Sequence, residues 1–581
     1  MVWSAARLIT AAFFMLLANV CASSQLYLYK SESTKQYLSA AQGDYTRLTD
    51  PWRSFATRSA LSLKDVGPEG LGRLQGADVL IMPSVLVLSA SEKEAIDRFT
   101  KRGGSLLATW ASGGRDAAGQ WLGYSWLQQV FGVEIVADIR GDNRDRFLLP
   151  FGETLISSQL PAGKRIYLGK TGEALLRAKA RYPIARFGEW QRSSHLAHSS
   201  AAAIAVDEIQ GSRRAWLGFA ENTWDTATAD LDLLMKDLLL WMQRKPIATI
   251  AAWPSPYKSA FFIEMDTEDK FENAATLERL FDQRGMRGTF YLLTSLAQKH
   301  PDLVRRMSKN HELGYHAEVH DGFKGQSVEV QEGRMARMQS DLKGIVGDIS
   351  QARGFRAPLE SYDVNTERAL RKFGMRHHTA DPGAQDSALP GFSSAEPGLS
   401  IDEALVVIPR TLLDDINYLQ MGLLAPGSVR ATLLENLRDK LNMRGLALLS
   451  VHTQNFSPGG ILDTEVPVLM DEVQRLRDRI WSASGDQIER WWRVRAKVNM
   501  VSEWVEKGPA KGTLKVQVDN RSLQEARSIQ LVITAPSVNA QPRLLAGSLA
   551  GASIQRQDDF RWAIALPVLA AASRSQLAIG F

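Results

Sequence analysis

Residues 261–269 read FFIEMDTED, an apolar run that ends in the four carboxylates Glu264, Asp266, Glu268 and Asp269. Further along, residues 316–320 read HAEVH and place two histidines four positions apart. An apolar run of this kind is typical of a buried strand. Acidic groups at a strand end with histidines nearby predict a metal site.

The spacing of His316 and His320 predicts that both lie on one face of a helical turn, where both imidazoles could reach one cation. Asp266 would supply the third, anionic ligand and leave a position open for water and a substrate oxygen. Two histidines and one carboxylate favour zinc, with cobalt or nickel as alternatives. A chance histidine pair and a solvated carboxylate at a strand end are the non-functional alternatives.

Apolar runs and helical patterns alternate around these two strings. The patterns predict strands at 260–266, 288–293 and 446–451, with helices between them. Parallel strands separated by helices fit a barrel, complete or distorted, over residues 259–507. In such barrels the chemistry lies where the strands end, and the polar strings quoted above lie there.

Two further domains are predicted on either side of the barrel. Residues 25–244 alternate strand and helix, which predicts an α/β domain of the flavodoxin-like type, and Ser91 with Glu94 predicts a capping box for one helix. Prolines mark 245–258 as a linker. Short alternating runs over 508–581 predict a small β-sandwich.

The N-terminal domain resembles the class I glutamine-amidotransferase-like fold, in which a nucleophile follows a strand such as 105–109. The corresponding turn here reads ATWASGG at residues 108–114 and contains no cysteine. A serine elbow at Ser112 is the alternative, but the turn lacks the glycine two positions before it. The domain is therefore expected to be non-catalytic.

Composition limits the function classes. The chain has 581 residues, enough for about three domains, and its 69 basic and 64 acidic residues give a net charge of only +5. No basic stripe indicates nucleic-acid binding.

Residues 1–24 read as a secretory signal peptide that carries the single cysteine, with an uncleaved anchor as the alternative. No later run is long enough to span a membrane, so a periplasmic or secreted protein is expected.

Five strings in order carry a family resemblance: EMD at 264–266, HAEVH at 316–320, RAP at 356–358, Asp381, and LSVHT at 449–453. Together they resemble the polysaccharide deacetylase family, the NodB-homology carbohydrate esterases, over about residues 259–500. Two departures stand out. Glu264 and a spacer replace the adjacent aspartates of the family, and Pro382 stands where the family has tryptophan.

The resemblance implies roles for individual residues. Glu264 would be the base, with Glu268 as its rival, and Arg356 would hold that base. Asp381 would orient His452, which would protonate the departing amine.

The implied reaction is metal-assisted hydrolysis of an acetamide or acetate ester in a polysaccharide. The backbone N–H of Leu359 would hold the oxyanion, and Tyr362 and Phe323 are candidates to contact sugar rings. Exopolysaccharide or cell-envelope assembly proteins are candidate partners. The alternatives are an amide hydrolase acting on a non-sugar substrate and a polysaccharide-binding scaffold with a degenerate site.

Overall fold

The computed structural model describes residues 24–139, 147–188, 201–508 and 510–581. The predicted signal peptide lies outside the described residues, apart from Ser24. No helix in the described ranges is both long and apolar enough to cross a bilayer.

The N-terminal domain is built on one mixed sheet of eleven strands among the described residues. Its strands are β1 (Leu26–Tyr29), β2 (Leu63–Val66), β3 (Val79–Met82), β4 (Ser105–Thr109), β5 (Glu134–Ile139), β6 (Phe147–Pro150), β7 (Ile166–Tyr167), β8 (Leu175–Lys179), β9 (Tyr182–Gly188), β10 (Ala202–Ile209) and β11 (Ser212–Leu217). Its helices are α1 (Glu32–Ala40), α2 (Thr46–Arg58), α3 (Ala90–Lys101), α4 (Ser125–Phe131) and α5 (Thr228–Met242). Strands β2, β1, β3, β4 and β11 pair in parallel, and β10, β9, β6 and β7 continue the sheet antiparallel.

The predicted capping box of α3 is shifted by two residues. Ser89 caps the helix and Glu92 completes the box, instead of Ser91 and Glu94. Both pairs have the required spacing, but Glu92 is buried and accepts a hydrogen bond from the Tyr29 hydroxyl. Burial of Glu92 therefore decides where the helix begins.

The turn after β4 holds no exposed nucleophile. Ser112 is 1% exposed, and its hydroxyl donates to the backbone oxygen of Thr109 at 2.7 Å. A serine in this environment stabilises the turn, so the alternative of a serine elbow does not fit the structure.

The predicted linker contains a strand of the C-terminal domain. Residues of β12 (Ile247–Ile250) pair antiparallel with residues 531–534, far along the chain. The segment between the first two domains thus belongs in part to the third.

The central domain is an open, curled sheet, which confirms the predicted distorted barrel. Its strands are β13 (Ser259–Thr267), β14 (Thr289–Leu293), β15 (Glu312–Ala317), β16 (Gly354–Arg356), β17 (His377–Ala380), β18 (Gly391–Phe392), β19 (Val406–Pro409), β20 (Leu446–His452) and β21 (Ile480–Ser482). Its helices are α6 (Ala274–Arg284), α7 (Thr294–Ala297), α8 (Pro301–Asn310), α9 (Val328–Val346), α10 (Val364–Lys372), α11 (Asp415–Gln420), α12 (Pro426–Met443), α13 (Ile461–Arg475) and α14 (Gly485–Ala496). The strand order is β18, β19, β17, β16, β15, β14, β13, β20, and β21 joins the start of β13.

An irregular segment after β19 closes the barrel. The Leu412 N–H donates to the backbone oxygen of Leu448 at 3.0 Å, and the Thr411 hydroxyl donates to Leu446 at 2.6 Å. These contacts join the segment after β19 to the edge strand β20 without a regular ladder.

The C-terminal sandwich begins earlier than the predicted residue 508. Its strands are β22 (Val498–Gly508), β23 (Lys511–Asn520), β24 (Gln530–Thr534), β25 (Arg543–Leu544), β26 (Ser553–Arg556), β27 (Arg561–Ala565) and β28 (Ser573–Gly580). One sheet has the order β12, β24, β27, β26, and the other has the order β22, β23, β28, β25.

A buried ion pair lies where the three domains meet. Arg444, after α12 of the barrel, donates to Glu153 of the N-terminal domain at 2.8 Å, and both residues are buried. The second Nη of Arg444 donates to Gln557 of the sandwich at 2.8 Å. Around the pair, Phe151, Phe262 and Ile564 share one apolar cluster. The domains are therefore packed through a common core.

We expect the substitution Glu153→Gln to destabilise the whole protein. It removes the carboxylate that pairs with the buried Arg444, and breaking a buried ion pair typically costs about 3–5 kcal/mol. The free energy of unfolding from denaturant titration measures the effect. Glu525→Gln, which removes an exposed partner of Arg527, is the control and should leave stability unchanged. Equal stability of the two variants would contradict the role of the junction.

Candidate metal centre and active site

Four strands of the barrel, β13, β15, β16 and β20, bring the polar side chains to one edge of the sheet. In the parallel ladder between β13 and β20, Asp266 lies opposite His452. His316 lies near the end of β15, and Arg356 ends β16. Because carboxyl ends of parallel strands share an edge, residues distant in sequence meet there.

The predicted helical turn for the two histidines is wrong. His316 belongs to strand β15, and His320 follows the end of that strand in a turn. The turn folds His320 back, so that the two ring centroids are 5.4 Å apart. Both imidazoles still face one point, through a strand end and a turn.

Glu268 is the carboxylate between the histidines. Its Oε1 lies 3.3 Å from Nε2 of His316 and 2.9 Å from Nε2 of His320. Asp266 was predicted as the third ligand, but the donor atoms that come together with both histidines are those of Glu268. Asp266 belongs instead to a second group, with Glu268 and His452.

The protonation of His316 favours a cation at this point. Its Nδ1 lies 2.8 Å from the backbone oxygen of Arg356, which can only accept, so Nδ1 carries the proton. In the neutral ring, the Nε2 lone pair then points towards Glu268. A lone pair and a carboxylate oxygen repel each other unless a second proton or a bound metal ion lies between them. Histidines that bind metals usually donate their other N–H to a backbone oxygen or a carboxylate, as His316 does here.

The second oxygen of Glu268 accepts from the Gln454 amide at 2.5 Å. Burial alone would raise the pKa of Glu268, but its hydrogen bond to His316 and the nearby imidazoles of His452 and His316 lower that pKa to about 2. The carboxylate is thus ionised, and the donor set of Glu268, His316 and His320 fits a divalent ion.

Asp266 lies beside this group. One of its oxygens accepts from Arg356 Nε at 2.5 Å and lies 3.5 Å from His452 Nε2. Its other oxygen has no hydrogen-bond partner among the described residues. Burial would raise the pKa of Asp266, but Arg356 and the two imidazoles lower it. This second oxygen is buried, and an ionised carboxylate whose oxygen has no hydrogen-bond partner can accept a proton.

Glu264, the predicted base, is instead enclosed in the barrel. Its side chain is fully buried, and its Oε1 lies 3.2 Å from Arg356 Nη1. Burial raises the pKa of Glu264 to about 7 despite the charge of Arg356. Glu264 shares its strand face with Asp266 but lies two residues deeper, so it has no access to solvent.

His452 is oriented by Asp415, a residue that the sequence analysis did not identify. The backbone N–H and Nδ1 of His452 lie 2.9 and 2.7 Å from the two Asp415 oxygens. Burial would lower the pKa of His452, but the charge and hydrogen bond of Asp415 raise it to about 9. The available signal was the acidic pair Asp414–Asp415, which follows the apolar run at 406–409.

Asp381 does not have the predicted orienting role. Its side chain is half exposed, accepts from the Gly383 N–H at 2.7 Å, and lies 3.7 Å from Arg410. The loop after β19 returns beside β20, where the Leu412 N–H donates to Leu448, and it carries Asp415 to His452. Asp381 and Asp415 both follow strand ends, and only the loop path distinguishes them.

The remaining predicted residues lie in different environments. Leu359 is 74% exposed just beyond Arg356 and has φ of 56°, in the left-handed region. Tyr362 is partly buried and packs edge-on against His378 at 5.0 Å. Phe323 is fully buried under the guanidinium of Arg334, so it is not available to a substrate.

Metal binding distinguishes the roles of Glu268 and Asp266. We expect Glu268→Ala to lose stoichiometric zinc, because it removes the anionic donor between the histidines, whereas Asp266→Asn should retain it. Metal content after loading and desalting measures both. Loss of zinc only in Asp266→Asn would restore the ligand set predicted from sequence.

The pKa of His452 tests whether Asp415 is the carboxylate that orients it. In metal-free protein, Asp415→Asn should lower that pKa from about 9 towards the ordinary 6.5, because the imidazolium loses its stabilising charge. NMR titration of the imidazole measures the change. Asp381→Asn is the matched control and should leave the pKa in place; an equal shift in this variant would contradict the assignment.

Comparison with known proteins finds a family-model match within the central domain. Residues 265–378 match the family model for polysaccharide deacetylase. Among curated protein sequences, none matches the chain.

Three solved structures illustrate the similarity. The carbohydrate deacetylase Agd3 is 11% identical, with 96% of this chain and 98% of Agd3 covered and a TM-score of 0.45. A probable polysaccharide deacetylase from Pseudomonas aeruginosa PAO1 is 17% identical, with 41% and 92% covered and a TM-score of 0.35. The CE4 family pseudoenzyme BA3943 from Bacillus anthracis is 12% identical, with 40% and 66% covered and a TM-score of 0.29. The matched segment contains Asp266, Glu268, both histidines and Arg356, so the residues of the candidate site lie in the part of the central domain that is similar to polysaccharide deacetylases.

Proposed function

We propose that the protein is an exported, divalent-metal-dependent deacetylase that removes N-acetyl or O-acetyl groups from a polysaccharide. The observation that carries the proposal is the convergence of His316 and His320 on Glu268, beside Asp266 and His452. The family match supports the reaction class. The complete donor set argues against the alternative of a degenerate, non-catalytic site.

Glu268, His316 and His320 would hold the metal ion. Two imidazoles and one carboxylate favour zinc, with cobalt or nickel as alternatives. Bound there, the ion would polarise the acyl carbonyl and lower the pKa of water.

Asp266 is the base in this proposal. As water adds to the acyl carbon, the Asp266 oxygen that has no hydrogen-bond partner in the described part of the chain accepts a proton from that water molecule. Arg356 holds Asp266 through Nε and keeps it ionised before the reaction. The Leu359 N–H, at the rim beyond Arg356, would donate to the developing oxyanion.

His452 is the acid. As the bond between the acyl carbon and the leaving nitrogen breaks, the protonated imidazole gives its Nε2 proton to that nitrogen. Asp415 keeps His452 protonated at neutral pH and fixes the ring through Nδ1. The products are acetate and a free amine; for an ester, the leaving group is an alcohol.

The substrate is proposed as an acetylated polysaccharide, and Tyr362, which is partly buried beside His378, is the aromatic candidate that remains. The periplasmic or secreted location rests on the sequence of residues 1–24. Assembly proteins of an exopolysaccharide or cell envelope are the proposed partners. An amide hydrolase acting on a non-sugar substrate would use the same residues, so substrate preference decides between these two functions.

Acetate release from N-acetylglucosamine oligomers tests the proposal. We expect zinc-loaded protein to release acetate and a chelator to abolish the release. Asp266→Asn should lower kcat by about 10²–10⁴-fold, because it removes the base. Asp302→Asn, the same change at an exposed carboxylate that pairs with Arg305, is the control and should retain the wild-type rate. Release from acetylated small amides but not from any acetylated glycan would favour the non-sugar hydrolase.

A further inference from the structure

The side chain of Arg410 connects the two halves of the site. Arg410 directly follows β19, on the segment that closes the barrel against β20. Its backbone N–H donates to Ala380 at 3.0 Å, and its side chain is 7% exposed. The guanidinium contacts the carboxylates of Glu360 and Asp414 and lies 3.7 Å from Asp381. Arg410 is thus held in place by backbone contacts and lies within a ring of acids.

One contact leads to the base. Glu360 also lies 3.4 Å from Arg356, whose Nε donates to Asp266. Glu360 and Leu359 have φ of 53° and 56°, a backbone conformation that side chains other than glycine rarely adopt. Two guanidinium groups on one carboxylate hold this turn, and with it the position of Arg356.

The other contact leads to the acid. Asp414 is the N-cap of α11 and accepts from the Asn417 N–H at 2.7 Å. The next residue, Asp415, accepts from His452. Fixing Asp414 therefore fixes the start of the helix that presents Asp415.

We infer that Arg410 is a positioning residue that aligns the base Asp266 and the acid His452 together, through Glu360 on one side and Asp414 on the other. The inference rests on the proposed function. A planar guanidinium can bind two carboxylates in different directions, which a lysine ammonium does with less geometric control.

Two substrates distinguish the contact from Arg410 to the base, through Glu360, from the contact to the acid, through Asp414. 4-Nitrophenyl acetate needs the base, but its phenolate leaves without a proton, whereas an N-acetylglucosamine oligomer needs both base and acid. Asp266→Asn should lose both activities, and Asp415→Asn should lose mainly the oligomer activity. These two variants calibrate the assay.

Arg410→Met should slow both substrates about 100-fold in kcat, the usual effect of a misplaced catalytic group, with KM and zinc content unchanged. Arg410→Lys should recover only a minor part of kcat. Arg279→Met is the same change at an exposed position of helix α6, and its kcat for both substrates should match that of the wild type. A loss confined to the oligomer, or no loss, would overturn the inference.

Should Arg410→Met not fold, Glu360→Gln provides the second test, because it breaks only the route to the base. It should slow 4-nitrophenyl acetate about as much as the oligomer; an unchanged ester rate would overturn the inference. If wild type hydrolyses neither substrate, the proposed function fails and the inference fails with it, whereas an active wild type with an unaffected Arg410→Met refutes the inference alone.

Discussion

The site depends on the register between strands β13 and β20. Residues pair in order from Ala260 with Leu446 to Asp266 with His452. In a parallel ladder, paired side chains point to the same face, so this register places Asp266 and His452 3.5 Å apart. A slip of one residue would turn His452 to the opposite face. The apolar residues of both strands, buried along their whole length, fix this register against such a slip.

The same strand shows how environment assigns different roles to similar groups. Glu264 and Asp266 share a face and both contact Arg356. The deeper Glu264 has a raised pKa because burial dominates, whereas Asp266 has a lowered pKa because Arg356 and two imidazoles outweigh burial. Neighbouring acids whose pKa values are moved apart in this way are typical of hydrolytic sites. Arg356 is thus buried between two acids, and the outer one, Asp266, ionises at lower pH than Glu264.

The sequence predicted the barrel and the location of the site, because apolar runs mark buried strands and the polar residues follow them. It did not predict which acid meets the histidines. Alternation defines side-chain direction only within a strand, and Glu268 lies past the end of β13, where the chain has turned. Asp415 was missed for a similar reason, since the path of a loop depends on its packing against β20. The spacing of His316 and His320 fits a helix, but pairing of β15 with both neighbours overrides that local preference.

The strand in the interdomain segment has a consequence for how the chain assembles. β12 is made before the barrel, and its partner β24 is made after it. Until that partner arrives, β12 exposes an unpaired edge, and closing so long a loop is slow. The sandwich therefore lacks one strand of its first sheet until β12 and β24 pair. This pairing joins the two ends of the barrel domain, because β12 precedes that domain and β24 follows it.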